Sequence, residues 1–178
     1  GSTATRQRSG TLRVGGGGLR VEANLAQGQA PGTGAIEFVE AELPFTIDND
    51  LLRVGQARML LGNSVIIASG EVRAWSRGEF AIGGRLDVRD LVGLSGIELS
   101  DTDAGTATLD ASLTFGADPL RFAGSLSSPA IALAGIEATD FAADIDARAA
   151  NLIVDNARAS LFGGDIAARV DVDLSSQP

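Results

Sequence analysis

Apolar and polar positions alternate with a period of two along most of this chain, most regularly over residues 141–174. Phe141, Ala143, Ile145 and Ala147 alternate with Ala142, Asp144, Asp146 and Arg148. Further on, Ile166, Ala168, Val170, Val172 and Leu174 alternate with Ala167, Arg169, Asp171 and Asp173. Successive side chains of a strand point to opposite faces of the sheet, so this pattern predicts strands with one apolar and one charged face. Between them, Gly163-Gly164 predicts a tight hairpin turn, because glycine takes positive φ without steric cost.

The same rhythm recurs upstream. Residues 11–14 form a short strand closed by Gly15 to Gly18, and Leu19, Val21, Ala23 and Leu25 oppose Arg20, Glu22 and Asn24. Residues 28–34, with Pro31 and three glycines, read as a loop. Over residues 35–45 the parity changes, from Ile36 and Phe38 to Val39, Ala41, Leu43 and Phe45, which predicts a β-bulge. Pro44 places that end at a sheet edge or a strand terminus. Turns follow at Asp48-Asn49-Asp50 and Gly62-Asn63, and residues 79–90 set Phe80, Ile82, Leu86 and Val88 against Glu79, Arg85, Asp87 and Arg89.

Residues 91–105 read as irregular. Beyond them Ala107, Leu109, Ala111, Leu113 and Phe115 alternate with Thr106, Thr108, Asp110, Ser112 and Thr114. Asp118-Pro119 ends that run, and Leu120, Phe122 and Leu126 begin the next. Residues 127–129 break the chain before a short apolar piece, Ala130 to Leu133. No stretch shows a capped helical period. The fold expected is all-β: an antiparallel meander of about ten to twelve short strands joined by hairpin-scale turns.

Gly1 and Ser2 read as a tag-cleavage remnant and residues 3–10 as a solvated lead-in, which leaves one domain over residues 11–176. The apolar residues are mostly Ala, Val, Leu and Ile, with seven Phe and one Trp, while glycine supplies 23 residues. Two facing sheets need large side chains to fill the roughly 10 Å between them. Small apolar residues and many glycines favour one strongly curved sheet with an apolar concave face.

Charge and chemistry narrow the function. The net charge of −9 argues against nucleic acid and against simple electrostatic attachment to anionic lipid. With no His, Cys or Lys, the chain lacks an imidazole base, a thiol nucleophile, a Schiff-base amine and the usual zinc ligands. The pairs Asp144/Asp146 and Asp171/Asp173 share strand faces, as carboxylates on a solvated face do. Asp101-Thr102-Asp103-Ala104-Gly105 lacks the third oxygen ligand and closing Glu of a calcium loop. Gly15 to Gly18 lacks the spacing of a phosphate cradle. The expectation is a non-enzymatic domain with no cofactor and no metal.

Residues 156–174, NARASLFGGDIAARVDVDL, resemble the recurring tail of AsmA-like proteins, with Ala159, Leu161, Phe162, Gly163 and Gly164 at the positions of its short motif. Residues 44–91, with their order of short strand, turn, strand, glycine and strand, are similar to AsmA-like and TamB-like repeats. The resemblance implies a segment of a larger envelope protein of Gram-negative bacteria, anchored in the inner membrane and lying in the periplasm. It implies a β-groove, or β-taco, that carries phospholipid toward the outer membrane. In the TamB branch it implies a structural or docking role in outer-membrane protein assembly with a barrel partner.

The lipid-facing candidates are Val21, Leu25, Phe80, Ile82, Leu86, Val88, Leu109, Leu113, Phe115, Leu120, Phe122, Phe141, Ile145, Ile166, Val170 and Val172. The partners expected are phospholipid acyl chains and an outer-membrane barrel protein, and exposed strand edges add self-association.

Overall fold

The computed structural model describes residues 8–23, 32–95, 104–116, 119–133, 135–148 and 151–173. They form one ten-stranded antiparallel sheet whose spatial order is the chain order. The strands are β1 (Arg8–Ala23), β2 (Gly32–Asp48), β3 (Leu51–Leu61), β4 (Ser64–Arg73) and β5 (Arg77–Asp87), then β6 (Ala104–Phe115), β7 (Arg121–Leu133), β8 (Ile136–Arg148), β9 (Asn151–Leu161) and β10 (Gly164–Asp173). One helix, α1 (Val88–Ser95), interrupts them. The sheet is open, with β1 and β10 at its two ends.

The strands are longer than the turn signals predict, because bulges replace several expected breaks. β1 begins at Arg8, inside the expected lead-in, and passes through Gly15 to Gly18 with register shifts. Pro44 lies inside β2, between two paired strands and away from any edge. The partner strand accommodates it with an extra residue at Gly55-Gln56, where a Cβ on Gly55 would stand 3.3 Å from the proline ring. β7 likewise runs through Pro129, which falls in a register shift against β6. There the buried Ser128 Oγ reaches the carbonyls of Thr106 at 2.7 Å and Ala130 at 3.0 Å. Further bulges centre on Asp140 and Asn156, whose φ values of 53° and 51° suit the left-handed tolerance of Asp and Asn. A bulge bends its strand and increases local twist, so this series curves the sheet.

Two expectations shift. The last hairpin turns on Phe162-Gly163, with φ of 51° and 78°, and Gly164 already pairs with Leu161. Residues 88–95 are helical where the alternation predicted strand to Asp90 and irregular chain from Leu91. Asp87 accounts for this: its Oδ1 accepts the Arg89 N–H at 2.9 Å and caps the first turn.

α1 fills a notch in the sheet. β3 meets β2 only from Val39 to Asp48, so residues 32–38 of β2 run past the β3–β4 turn. The helix sits over that turn, against β1 and β2 on one side and β5 and β6 on the other. Asp90 holds it there, its Oδ2 accepting from the Asn63 N–H at 2.9 Å and the Ser64 hydroxyl at 2.7 Å, while the Asp87 N–H donates to Ser64 Oγ at 2.9 Å. Leu91 packs on the cluster of Leu86, Leu109 and Ala111. We expect Asp90→Ala to cost about 1–3 kcal/mol, because it strands the buried Ser64 hydroxyl, and to raise amide exchange in α1 before the sheet opens.

Candidate functional site: one apolar and one polar row across ten strands

Register turns the alternation into two adjacent rows. Gly10, Phe45, Val54, Gly70, Phe80, Leu113, Phe122, Ala147, Leu152 and Val172 are successive cross-strand partners from β1 to β10, and none is polar. One residue along, Ser9, Thr46, Arg53, Glu71, Glu79, Thr114, Arg121, Arg148, Asn151 and Asp173 are partners in the same order, and none is apolar. Side chains one residue apart point to opposite faces. At roughly 4.8 Å per strand, nine spacings give an apolar stripe about 43 Å long.

Most expected residues lie on that face. Phe80, Leu113, Phe122 and Val172 belong to the stripe. Ile82, Ile145 and Val170 form a second row with Ala111, Gly124 and Val154. Leu109 pairs with Leu126, Leu86 with Ala107, Ile166 with Ala159 and Phe141 with Ser128. The Phe80 and Phe115 rings stack with centroids 6.4 Å apart. Two residues belong elsewhere. Val88 opens α1 and is buried, and Leu120 lies outside the strands in the β6–β7 connection. Val21 lies in β1 in register with Gly34, its side chain outside the described residues, as are Leu25 and Asp101 to Asp103 of the calcium-like loop. Leu12, Val14, Met59 and Leu152 share the face and were not among the expected residues; their cross-strand partners place them there, as they do Leu126, already read in alternation with Phe122.

The face is half covered rather than sealed. Its buried members are chiefly small: Ala41, Ala57, Ala107, Ala111, Ala143 and Ala159, with Leu86 and Leu109 under α1. No large side chain is fully buried among the described residues. Toward the last strand the face opens, and Ile166 and Val170 are exposed.

The opposite face is laced by ion pairs: Arg13 with Glu42 at 2.9 Å, Arg169 with Asp155 at 2.7 Å, and Arg121 and Arg148 both on Asp146 at 2.7 and 3.2 Å. Hydrogen bonds from Arg121 and then Arg148 hold the Asp146 carboxyl down at about 2. A depressed acid stabilises the fold above the ordinary carboxylate range and loses that contribution as pH falls through its folded pKa. We expect Asp146→Asn to flatten the stability–pH curve between about pH 4 and pH 2. At pH 7 it costs about 1 kcal/mol, less than the full linkage value, since both arginines are half exposed. Urea unfolding at several pH values reads both.

Among the described residues no group of three or more His, Cys, Asp or Glu is placed to hold a metal ion. No helix of the described residues is long and apolar enough to cross a membrane. No family model, curated protein or solved structure matches this chain.

Proposed function

We propose that this chain is a non-enzymatic segment of an AsmA-like or TamB-like envelope protein, and that its apolar face carries phospholipid acyl chains through the periplasm between the inner and outer membranes. The observation behind this reading is the unbroken apolar stripe on ten strands, half exposed and backed by a wholly polar row. An acyl chain lying along it gains about 0.8 kcal/mol for each CH₂ removed from water. The charged face keeps the outside hydrated. No bond is made or broken, in keeping with a chain that has no imidazole, thiol or lysine amine.

Native mass spectrometry with organic extraction tests the reading. Phospholipid retained at near-stoichiometric amounts is the expected result; a protein that stays lipid-free after incubation with phospholipid and gel filtration overturns it.

A second reading has its own observation. β10 is exposed along its whole length, and it is the last strand in the order of the sheet, with no other described strand on its outer side. Strand addition there would serve a docking module for outer-membrane protein assembly with a barrel partner, or pair one copy with another.

A further inference from the structure

The β4–β5 hairpin tip combines two features rarely found together. Ala74 and Trp75 are successive non-glycine residues in the left-handed region, with φ of 49° and 54°. The tip is fixed by the Ala74 N–H donating to the Asp50 carbonyl at 2.7 Å and the Ser76 N–H donating to the Arg73 carbonyl at 3.1 Å. This unfavourable backbone presents a large aromatic side chain to solvent, since Trp75 is 58% exposed. Strain held by its surroundings at an exposed aromatic points to use of that side chain. Beside it, Leu120 of the β6–β7 connection is 52% exposed. The two connections are neighbours, because β5 pairs with β6 and a Cβ on Gly116 would touch Arg77.

Arginines surround these apolar tips. Glu71 is shared by Arg53 and Arg73, and Asp146 by Arg121 and Arg148, so each set of three carries one net positive charge. Arg77 stands between the sets, in register with Arg73 and two residues before Glu79 on β5, and makes no ion pair among the described residues. Two clefts meet at Thr114: one of about 320 Å³ lined by Arg73, Arg77, Glu71 and Glu79, the other of about 270 Å³ lined by Pro119, Arg121 and Arg148. The opposite end of the strands differs. Phe162 is 91% exposed there, but the acidic Glu137 and Asp165 flank its hairpin.

We propose that the β4–β5 tip and Leu120, just before β7, form a membrane-docking edge, with Trp75 and Leu120 entering the interfacial layer of a phospholipid surface and Arg73, Arg77, Arg121 and Arg148 meeting its phosphates. Trp and Arg suit this boundary because each couples an apolar body to a polar end. The partner is a zwitterionic phospholipid surface, since the net charge of −9 repels a strongly anionic one while local guanidinium–phosphate contacts remain available. This edge rests on the lipid-carrying reading, for which it supplies the place of entry and exit.

Trp75 is the sole Trp and there is no Tyr, so intrinsic fluorescence reports this edge alone. With phosphatidylethanolamine–phosphatidylcholine vesicles, the expected results are a blue shift of its emission, quenching by lipids brominated near the headgroup, and flotation of the protein. Arg77→Glu, which removes a charge-assisted contact to a lipid phosphate, weakens vesicle binding about tenfold, and Trp75→Ser abolishes flotation, both with unchanged thermal unfolding. Unaltered emission and no flotation at saturating lipid overturn the proposal. So does an equal shift with inorganic phosphate or glycerophosphocholine alone, which marks a simple anion site. Wild-type protein that carries extracted phospholipid but ignores vesicles overturns the edge and leaves the groove standing. Protein that floats yet never holds extracted lipid overturns the groove reading instead.

Discussion

Leu109→Glu unfolds this domain and Val170→Glu does not. Leu109 is 9% exposed and packs with Leu86 and Ala111 beneath Leu91 of α1. A carboxylate there has no cation to meet and no water to reach, so the cost is about 3–5 kcal/mol, a large part of the roughly 5–15 kcal/mol that holds a domain together. Val170 sits on the same face but is 47% exposed, beside Val154 near the end of the sheet. Its replacement by Glu costs under about 1 kcal/mol and should strip bound lipid from that end. Urea midpoints for both variants, with the lipid content of Val170→Glu, are the measurements. Equal unfolding by both would mean a sealed core along the whole face, and the lipid-carrying reading would fall with it.

The second large effect runs against propensity. Alanine is a better strand residue than glycine on most grounds, and where the backbone permits both, Gly→Ala stabilises by limiting the unfolded chain. Gly124 reverses this. A Cβ there would press into the backbone of β6, against the Asp110 carbonyl oxygen and the Ala111 Cα, and against the Ala111 methyl. None of these is the end of a flexible side chain, so β6 and β7 must separate. We expect Gly124→Ala to cost about 2–3 kcal/mol. Gly83 is the control: a Cβ there meets only the Leu109 carbonyl oxygen at 3.7 Å, and Gly83→Ala should be neutral or slightly stabilising. Denaturant unfolding of the pair measures the difference, and equal midpoints would show that the close approach at Gly124 carries no weight.

Much of the architecture was legible because alternation is a direct record of facing. Phe80, Ile82 and Leu86 opposite Glu79, Arg85 and Asp87 state the two faces of β5 without reference to any other strand. The parity change after Phe38 marked a real irregularity: between Gly17–Val39 and Leu19–Ile36, two residues of β2 oppose one of β1. Prolines misled, since Pro44 and Pro129 are normally strand breakers and here sit at bulges that absorb the missing N–H. The helix was hidden because Val88 and Arg89 prolong the alternation of β5, and eight residues give little more than two turns of pattern. Its signal was Asp87 as a cap with Asp90 three residues on. Cross-strand rows were beyond a local reading, because they need the register of nine pairings. The Trp75 tip was hidden for a related reason, as nothing in Arg73-Ala74-Trp75-Ser76-Arg77 reveals which way a turn will point.

Because spatial order follows chain order without exception, each strand pairs only with the one before and the one after, and α1 alone ties distant strands together. Such a molecule behaves like a zipper rather than a globule. Apart from the connection through α1, short turns join most successive strands, so nucleation at one hairpin can spread outward with little entropic penalty per step. The same economy makes disassembly directional. β10, exposed throughout and held by one neighbour, should peel first, while β5 and β6, clamped by α1 and its aspartate, should let go last. An apolar stripe built on this plan lengthens by adding hairpins and frays from its tip, leaving the middle intact.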